Sequence, residues 1–190
     1  MDKDRAHKLA SLAGVEAPRS VCFSGLPSQA ELETLTRSLT FPVFVKPVRA
    51  GSSFGITKVE NPANLRAAVR DALRYDREVI VEEAIAGFEV GCAVMGNAEL
   101  TTGRADEIEI QGDLFDYTEK YNLITSKIHM PARVDAETER RIQDTAKSIY
   151  RALGCRASPG WTCSWSLPGA WCSMRSTRYP VSRPTAVFPT

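Results

Sequence analysis

The sequence predicts an α+β fold, and three observations carry that prediction. Residues 41–46, FPVFVK, alternate as a strand does: Phe41, Val43 and Val45 fall on one face, Pro42, Phe44 and Lys46 on the other. Residues 135–153 keep a helical period instead, with Ile142, Ala146, Ile149 and Leu153 on one face and Gly154 as the stop. Between them, 78–82, 88–94 and 104–110 read as short strands.

Taken in order, residues 2–12 form a short helix with Leu9 and Leu12 inward and Gly14 just past its end. A strand over 20–23 follows. Ser28 and Glu31 have capping-box spacing and open a helix carrying Leu32 and Leu35. The central strand ends at Lys46, because Pro47 cannot donate to a ladder. Arg49 then leads into Gly51-Ser52-Ser53-Phe54-Gly55, a loop of small hydroxyls and open backbone N–H groups. Residues 56–60 alternate as another strand. Asn61 caps a helix with Pro62 at its first position and Leu65, Val69, Ala72 and Leu73 inward. Residues 112–128 show no period and are rich in polar and aromatic side chains, so they read as a long loop, a class that is usually functional or disordered.

Composition narrows the function. A chain of 190 residues with 43% hydrophobic content has room for a core in one domain or two small ones. A net charge of +1 gives no case for a nucleic-acid or membrane partner. No apolar run approaches the ~20 residues of a membrane span, and MDKDRAHKLA lacks the apolar centre of a signal peptide. The five cysteines include no CxxC pair and there are two histidines, so neither a zinc site nor a disulfide framework is expected, and the cytoplasm is the expected compartment.

Four stretches could carry chemistry together. Lys46, fixed at a strand end before a glycine-rich loop, suits the phosphates of a nucleotide. The plainer reading is a snorkelling surface lysine beside a hairpin turn. Lys3 offers a second cation, although most such lysines are simply solvated. In VEEAIAGFEV, Glu82 and Glu89 bracket a connection where one carboxylate and exposed backbone can read an adenine edge while the other takes ribose hydroxyls. Taken alone, they are a pair of exposed acids. Finally, FDYTEKY in the long loop suits a lid that excludes water, or a loop pinned to the body by its aromatics.

FVKP followed by GSSFG, then EExxxGFEVGCAV and FDYTEKY, in this order and at these distances, resembles the D-alanine–D-alanine ligase family of ATP-grasp enzymes, and most of all its vancomycin-resistance branch of D-alanine–D-serine ligases. The resemblance runs from Met1 to Cys155 and implies an ATP-grasp fold, divided into a central subdomain over 1–88 and an incomplete C-terminal subdomain over 89–155, with residues 112–128 as the omega loop. It implies ATP and Mg²⁺ as cofactors. Lys3 and Lys46 would hold phosphates, and Ser52 and Ser53 would lie in the phosphate loop, with Ser53 also meeting the acyl substrate. Glu82, Glu83 and Ile85 would contact adenine, Glu89 the ribose, and Phe115 would cover the nucleotide. Lys120 and Tyr121 would act from the closing loop, which lacks the histidine expected of lactate-using members and so points to an amino-acid acceptor. The implied substrates are D-alanine with D-serine or a second D-alanine, joined for peptidoglycan precursors, and the family allows a homodimer.

The chain departs from the family at both ends. The resemblance implies a whole N-terminal domain ahead of the position of Met1, expected to be missing here, and residues 156–190 hold all three tryptophans but no Asp or Glu, where the family should supply Asp, Glu and Asn ligands for Mg²⁺. Reading each codon's third base with the next two offers an explanation. Trp161 into Thr162 must then give aspartate and Trp171 into Cys172 valine, while Ser173, Met174, Arg175, Ser176 and Thr177 permit an Asn-Glu-Val-Asn-like run. The tail is therefore expected to be out of frame, without a helix or strand period, and irregular or poorly packed, and this chain to be inactive. Two other readings stand beside the ligase: a non-catalytic nucleotide-binding remnant, and another ATP-grasp carboxylate–amine ligase such as a carboxylase subunit.

Overall fold

A computed structural model describes residues 2–51, 53–109 and 127–156, together with the backbone of 161–166 and 173–176. Helix α1 (Lys3–Leu12) starts at Asp2, whose side chain accepts from the Arg5 N–H, and ends before Gly14 at φ 78°. Its buried residues are Ala6 and Ala10. Leu9 and Leu12 are 41% and 84% exposed, against the sequence expectation. The helix lies on its small-residue stripe, which lets the backbone approach the body closely.

Strand β1 (Ser20–Ser24), helix α2 (Gln29–Thr36), strands β2 (Val43–Pro47) and β3 (Thr57–Val59), helix α3 (Leu65–Ala72) and strand β4 (Glu78–Glu83) build the first half. The Ser28–Glu31 capping box forms as expected, and Asn61 caps a 3₁₀ turn (Pro62–Asn64) that runs into α3. The strands make an antiparallel sheet in the order β1-β4-β2-β3. One face is apolar: Val43, Val45, Val79 and Val81 pack with Leu32 of α2 and Leu65, Val69 and Ala72 of α3. The alternate positions Lys46, Ile80 and Glu82 are also buried, on the opposite face.

The second half holds strands β5 (Glu89–Gly96), β6 (Leu100–Glu109) and β7 (Lys127–His129), helix α4 (Ala136–Ala152), and strands β8 (Trp161–Ser166) and β9 (Ser173–Ser176). The sheet order is β7-β6-β5-β8-β9, all antiparallel. Ile142, Ala146, Ile149 and Tyr150 of α4 pack on Val90, Cys92, Val94 and Ala105, and Ala10 and Val15 join the same core. Helix α1 thus belongs to the second core by its far end.

Two expectations are corrected here. Lys127 and Ile128, read as loop, form β7 against Glu109 and Ile108. The tail is not wholly irregular: β8 pairs with β5 from Glu89↔Ser166 to Val94↔Trp161, and β9 pairs with β8. The physical reason is the aromatic and β-branched content of WTCSWS, which suits a strand.

Candidate functional site

Lys46 and Glu82 meet because β2 and β4 are neighbours, with Phe44 opposite Glu82 and Lys46 opposite Ile80. A diagonal pair on one face of a sheet is within reach of a lysine. Lys46 Nζ donates to Glu82 Oε1, with the two residues 8% and 1% exposed. The ammonium also stands 5.2 Å from the centre of the Phe44 ring. Lys46 is therefore no snorkelling surface lysine.

Helix α1 brings two more groups to this pair. Lys3 Nζ donates to three backbone carbonyls of the segment leaving β2: Pro47 at 2.8 Å, Val48 at 3.3 Å and Ala50 at 2.8 Å. Burial, and next the neighbouring Lys46 charge, lower its pKa to about 8. One turn along the same face, His7 Nε2 lies 3.8 Å from Glu82 Oε2. Burial pushes the His7 pKa down, while Glu82 pulls the other way. His7 was missed by the sequence reading. The signal available was its i,i+4 spacing from Lys3, which puts both on one helix face.

The segment after β2 is tied down from several sides. The Arg49 N–H and guanidinium donate to Asp76 at 2.7 and 2.9 Å, and the guanidinium also pairs with Glu78. In the turn that follows, Ser53 has φ 59° and Gly55 φ 70°. Phe54 stacks at a tilt on Tyr75, ring centres 6.3 Å apart. A Cβ on Gly55 would lie 2.5 Å from Tyr75 Cδ2 and 2.8 Å from Pro47 Cγ, so this turn needs a glycine there. Ser52 lies outside the described residues.

The other expected positions are spread along the connection between the sheets. Glu83 closes β4 with its carboxylate bound to Arg19 Nη2 at 2.7 Å and the Thr40 N–H at 2.7 Å. Burial would raise its pKa, but these donors hold it below the usual carboxylate range. Ile85 is half-buried in the link to β5, and Glu89 opens that strand opposite Ile108. Phe115, Lys120 and Tyr121 lie in 110–126, outside the described residues. The structure thus gathers Lys3, Lys46 and Glu82 at the edge of the glycine-rich turn. An open groove beside Phe23, Leu26, Pro27, Thr34 and Leu35 includes none of these residues. Among the described residues, no three His, Cys, Asp or Glu side chains are grouped to hold a metal ion, and no helix is long and apolar enough to cross a membrane.

A sequence model described as the D-ala D-ala ligase C-terminus matches residues 23–160. The chain belongs to the D-alanine–D-alanine ligase family. It is 42% identical over 161 residues to the vancomycin B-type resistance protein VanB of Enterococcus faecalis, a match covering 82% of this chain and 46% of that protein. It is 41% identical over 162 residues to a putative D-alanine–D-lactate ligase of Streptomyces coelicolor, covering 82% of this chain and 45% of that one. Among solved structures, the VanG D-Ala:D-Ser ligase of Enterococcus faecalis superposes with a TM-score of 0.80 at 53% identity, over 93% of this chain and 52% of that one. The D-alanine–D-alanine ligase of Coxiella burnetii, at 21% identity and a TM-score of 0.71, shares the fold. That fold is the ATP-grasp fold of these ligases, as the motifs imply. The chain spans about half the length of the curated relatives it matches.

Proposed function

We propose that this chain carries the nucleotide-binding part of an ATP-dependent D-alanine–D-X ligase of the cytoplasm, with D-serine or D-alanine as X. The buried Lys46–Glu82 pair beside Lys3 and the glycine-rich turn carries this reading. In the ligation, a D-alanine carboxylate oxygen takes the γ-phosphoryl group of ATP as ADP leaves. The amine of the second D-amino acid then forms the peptide bond as phosphate leaves.

The residues of this chain bind and orient the nucleotide. Lys46 turns from Glu82 to the phosphates, and Lys3 does so from the carbonyls it now holds. A charge-assisted contact of this kind is worth about 1.5–3 kcal/mol. Glu82 accepts from the adenine amino group, and the backbone over 83–85 completes the reading of the base. With the Glu83 carboxylate held by Arg19 and Thr40, Glu83 acts through its backbone. Glu89 accepts ribose hydroxyls, Ser52 and Ser53 line the phosphates, and Ser53 meets the acyl substrate. Phe115 covers the nucleotide while Lys120 and Tyr121 close over it and exclude water. The described residues do not fit a Mg²⁺ site.

Residues 1–88 and 89–155 serve as the two subdomains. We assign the tail to a shifted reading frame, on the absence of any Asp or Glu in 156–190 and on the family match ending at residue 160. An aspartate at position 161, with glutamate and asparagine near 174–176, would restore hard oxygen ligands to β8 and β9. The test has two parts. Calorimetry with ATP should show binding to the whole chain as it stands. A protein with the frame restored and extended to the length of its relatives should release phosphate in the presence of ATP, Mg²⁺, D-alanine and D-serine. No ATP binding, or a gene sequence that confirms the tail in a frame unrelated to the ligases, overturns the corresponding part.

A further inference from the structure

The geometry points to His7 as a positioning residue of the nucleotide site, the group that takes over Glu82 when Lys46 turns to phosphate. This rests on the nucleotide reading above. Glu82 is 1% exposed; Lys46 pairs with one of its oxygens, and His7 stands 3.8 Å from the other. A buried carboxylate that loses its cation and meets only a neutral amino group keeps an uncompensated charge, which is strongly unfavourable. The site therefore needs a second cationic donor already at hand. At 3.8 Å the imidazole is too far for a hydrogen bond and close enough to make one after a small rotation.

The charged groups around the imidazole are Lys3 and Asp4 on its own helix, Lys46 on β2 and Glu82 on β4. Burial and the Lys46 and Lys3 charges hold His7 neutral while both lysines face it; Glu82 and Asp4 oppose them. Withdrawing the Lys46 ammonium toward a bound phosphate removes one opponent of protonation and leaves Glu82 as its sponsor. Nucleotide binding should then draw a proton from solvent onto His7.

The test is calorimetry of Mg²⁺–ATP binding to the whole chain at pH 7, in two buffers of different ionisation enthalpy. The unaltered chain is compared with His7→Gln, which keeps a donor but cannot titrate, and with His7→Leu, which has no donor. Lys3, with its pKa of about 8, contributes alike to all three, so the difference between them isolates His7. The unaltered chain should take up more protons per nucleotide than His7→Gln, and His7→Leu should bind about tenfold more weakly or worse. Should His7→Leu fail to fold, the proton count of His7→Gln still decides. Equal proton uptake in the unaltered chain and His7→Gln overturns the inference, as does full affinity in His7→Leu. Absence of binding by the unaltered chain overturns the nucleotide reading and this inference together.

Discussion

Lys46 and Glu82 pair side chain to side chain on the buried face of the first sheet, two charges set among Ile80 and the covering helix α1. Their mutual dependence gives the first prediction. In a His7→Leu background, where no imidazole can take over Glu82, Lys46→Ala leaves that carboxylate buried without a cation and should destabilise the chain by about 3–5 kcal/mol, read as a lower urea midpoint. Replacing both, as Lys46→Met with Glu82→Leu, should recover most of that loss while abolishing nucleotide binding. A single substitution as harmless as the double one would show that the pair carries no such penalty.

Gly55 should resist substitution for two separable reasons. A Cβ there meets Tyr75 and Pro47, and φ of 70° disfavours any L side chain. Gly55→Ala should cost about 2–4 kcal/mol in denaturant unfolding. In a Tyr75→Ala background the same substitution should cost less, because the closest clash is gone and the backbone penalty remains. Equal costs in the two backgrounds would remove Tyr75 from the argument.

The pKa of Lys3, lowered to about 8, has a pH signature. Between about 8 and the ordinary 10.5 the unfolded lysine holds a proton that the folded one has lost, so stability should rise with pH across that window. Nucleotide affinity should run the other way and fall as pH passes about 8, since a neutral amine no longer attracts phosphate. Lys3→Met should flatten both profiles. Unfolding midpoints and binding constants from pH 7 to 10 would check it.

In the second core, Ile149 is fully buried between α4 and the sheet. Ile149→Ala should cost about 2–5 kcal/mol. Loss of the α4 cap in Asp135→Ala, where the carboxylate accepts from the Thr138 N–H at 2.7 Å, should cost about 1 kcal/mol. Chemical denaturation of each variant provides the comparison, and the order of the two costs is the point at issue.

Much of this was legible in residue order alone. The caps at Ser28 and Asn61 use local chemistry, so their spacing suffices. Lys46 was placed by the alternation of its strand. What periodicity could not show was which face of α1 is buried, because Leu9 and Leu12 outweigh Ala6 and Ala10 in hydrophobicity but do not fit close against the body. That error concealed His7, which shares the buried face with Lys3. The carboxylate of Glu83 is likewise claimed by Arg19 and Thr40, partners 64 and 43 positions away that no local pattern pairs with it. Strand β8 was not expected for another reason: a tail read as out of frame hides the strand-forming Trp161, Thr162 and Trp165 in it.

Helix α1 is fastened at Lys3 to the segment leaving β2 and at Ala10 to the core of the other sheet. Seven residues of α-helix separate these anchor points by about 10 Å of stiff rod. Such a rod works as a lever. If a ligand at the glycine-rich turn pulls Lys3 away from the carbonyls of Pro47 and Ala50, the near end is released while the far end stays embedded beside Ile142 and Ile149. The two sheets then lose a mechanical tie at the moment the site fills, and the amide hydrogens of the first turn of α1 should exchange faster with nucleotide than without it.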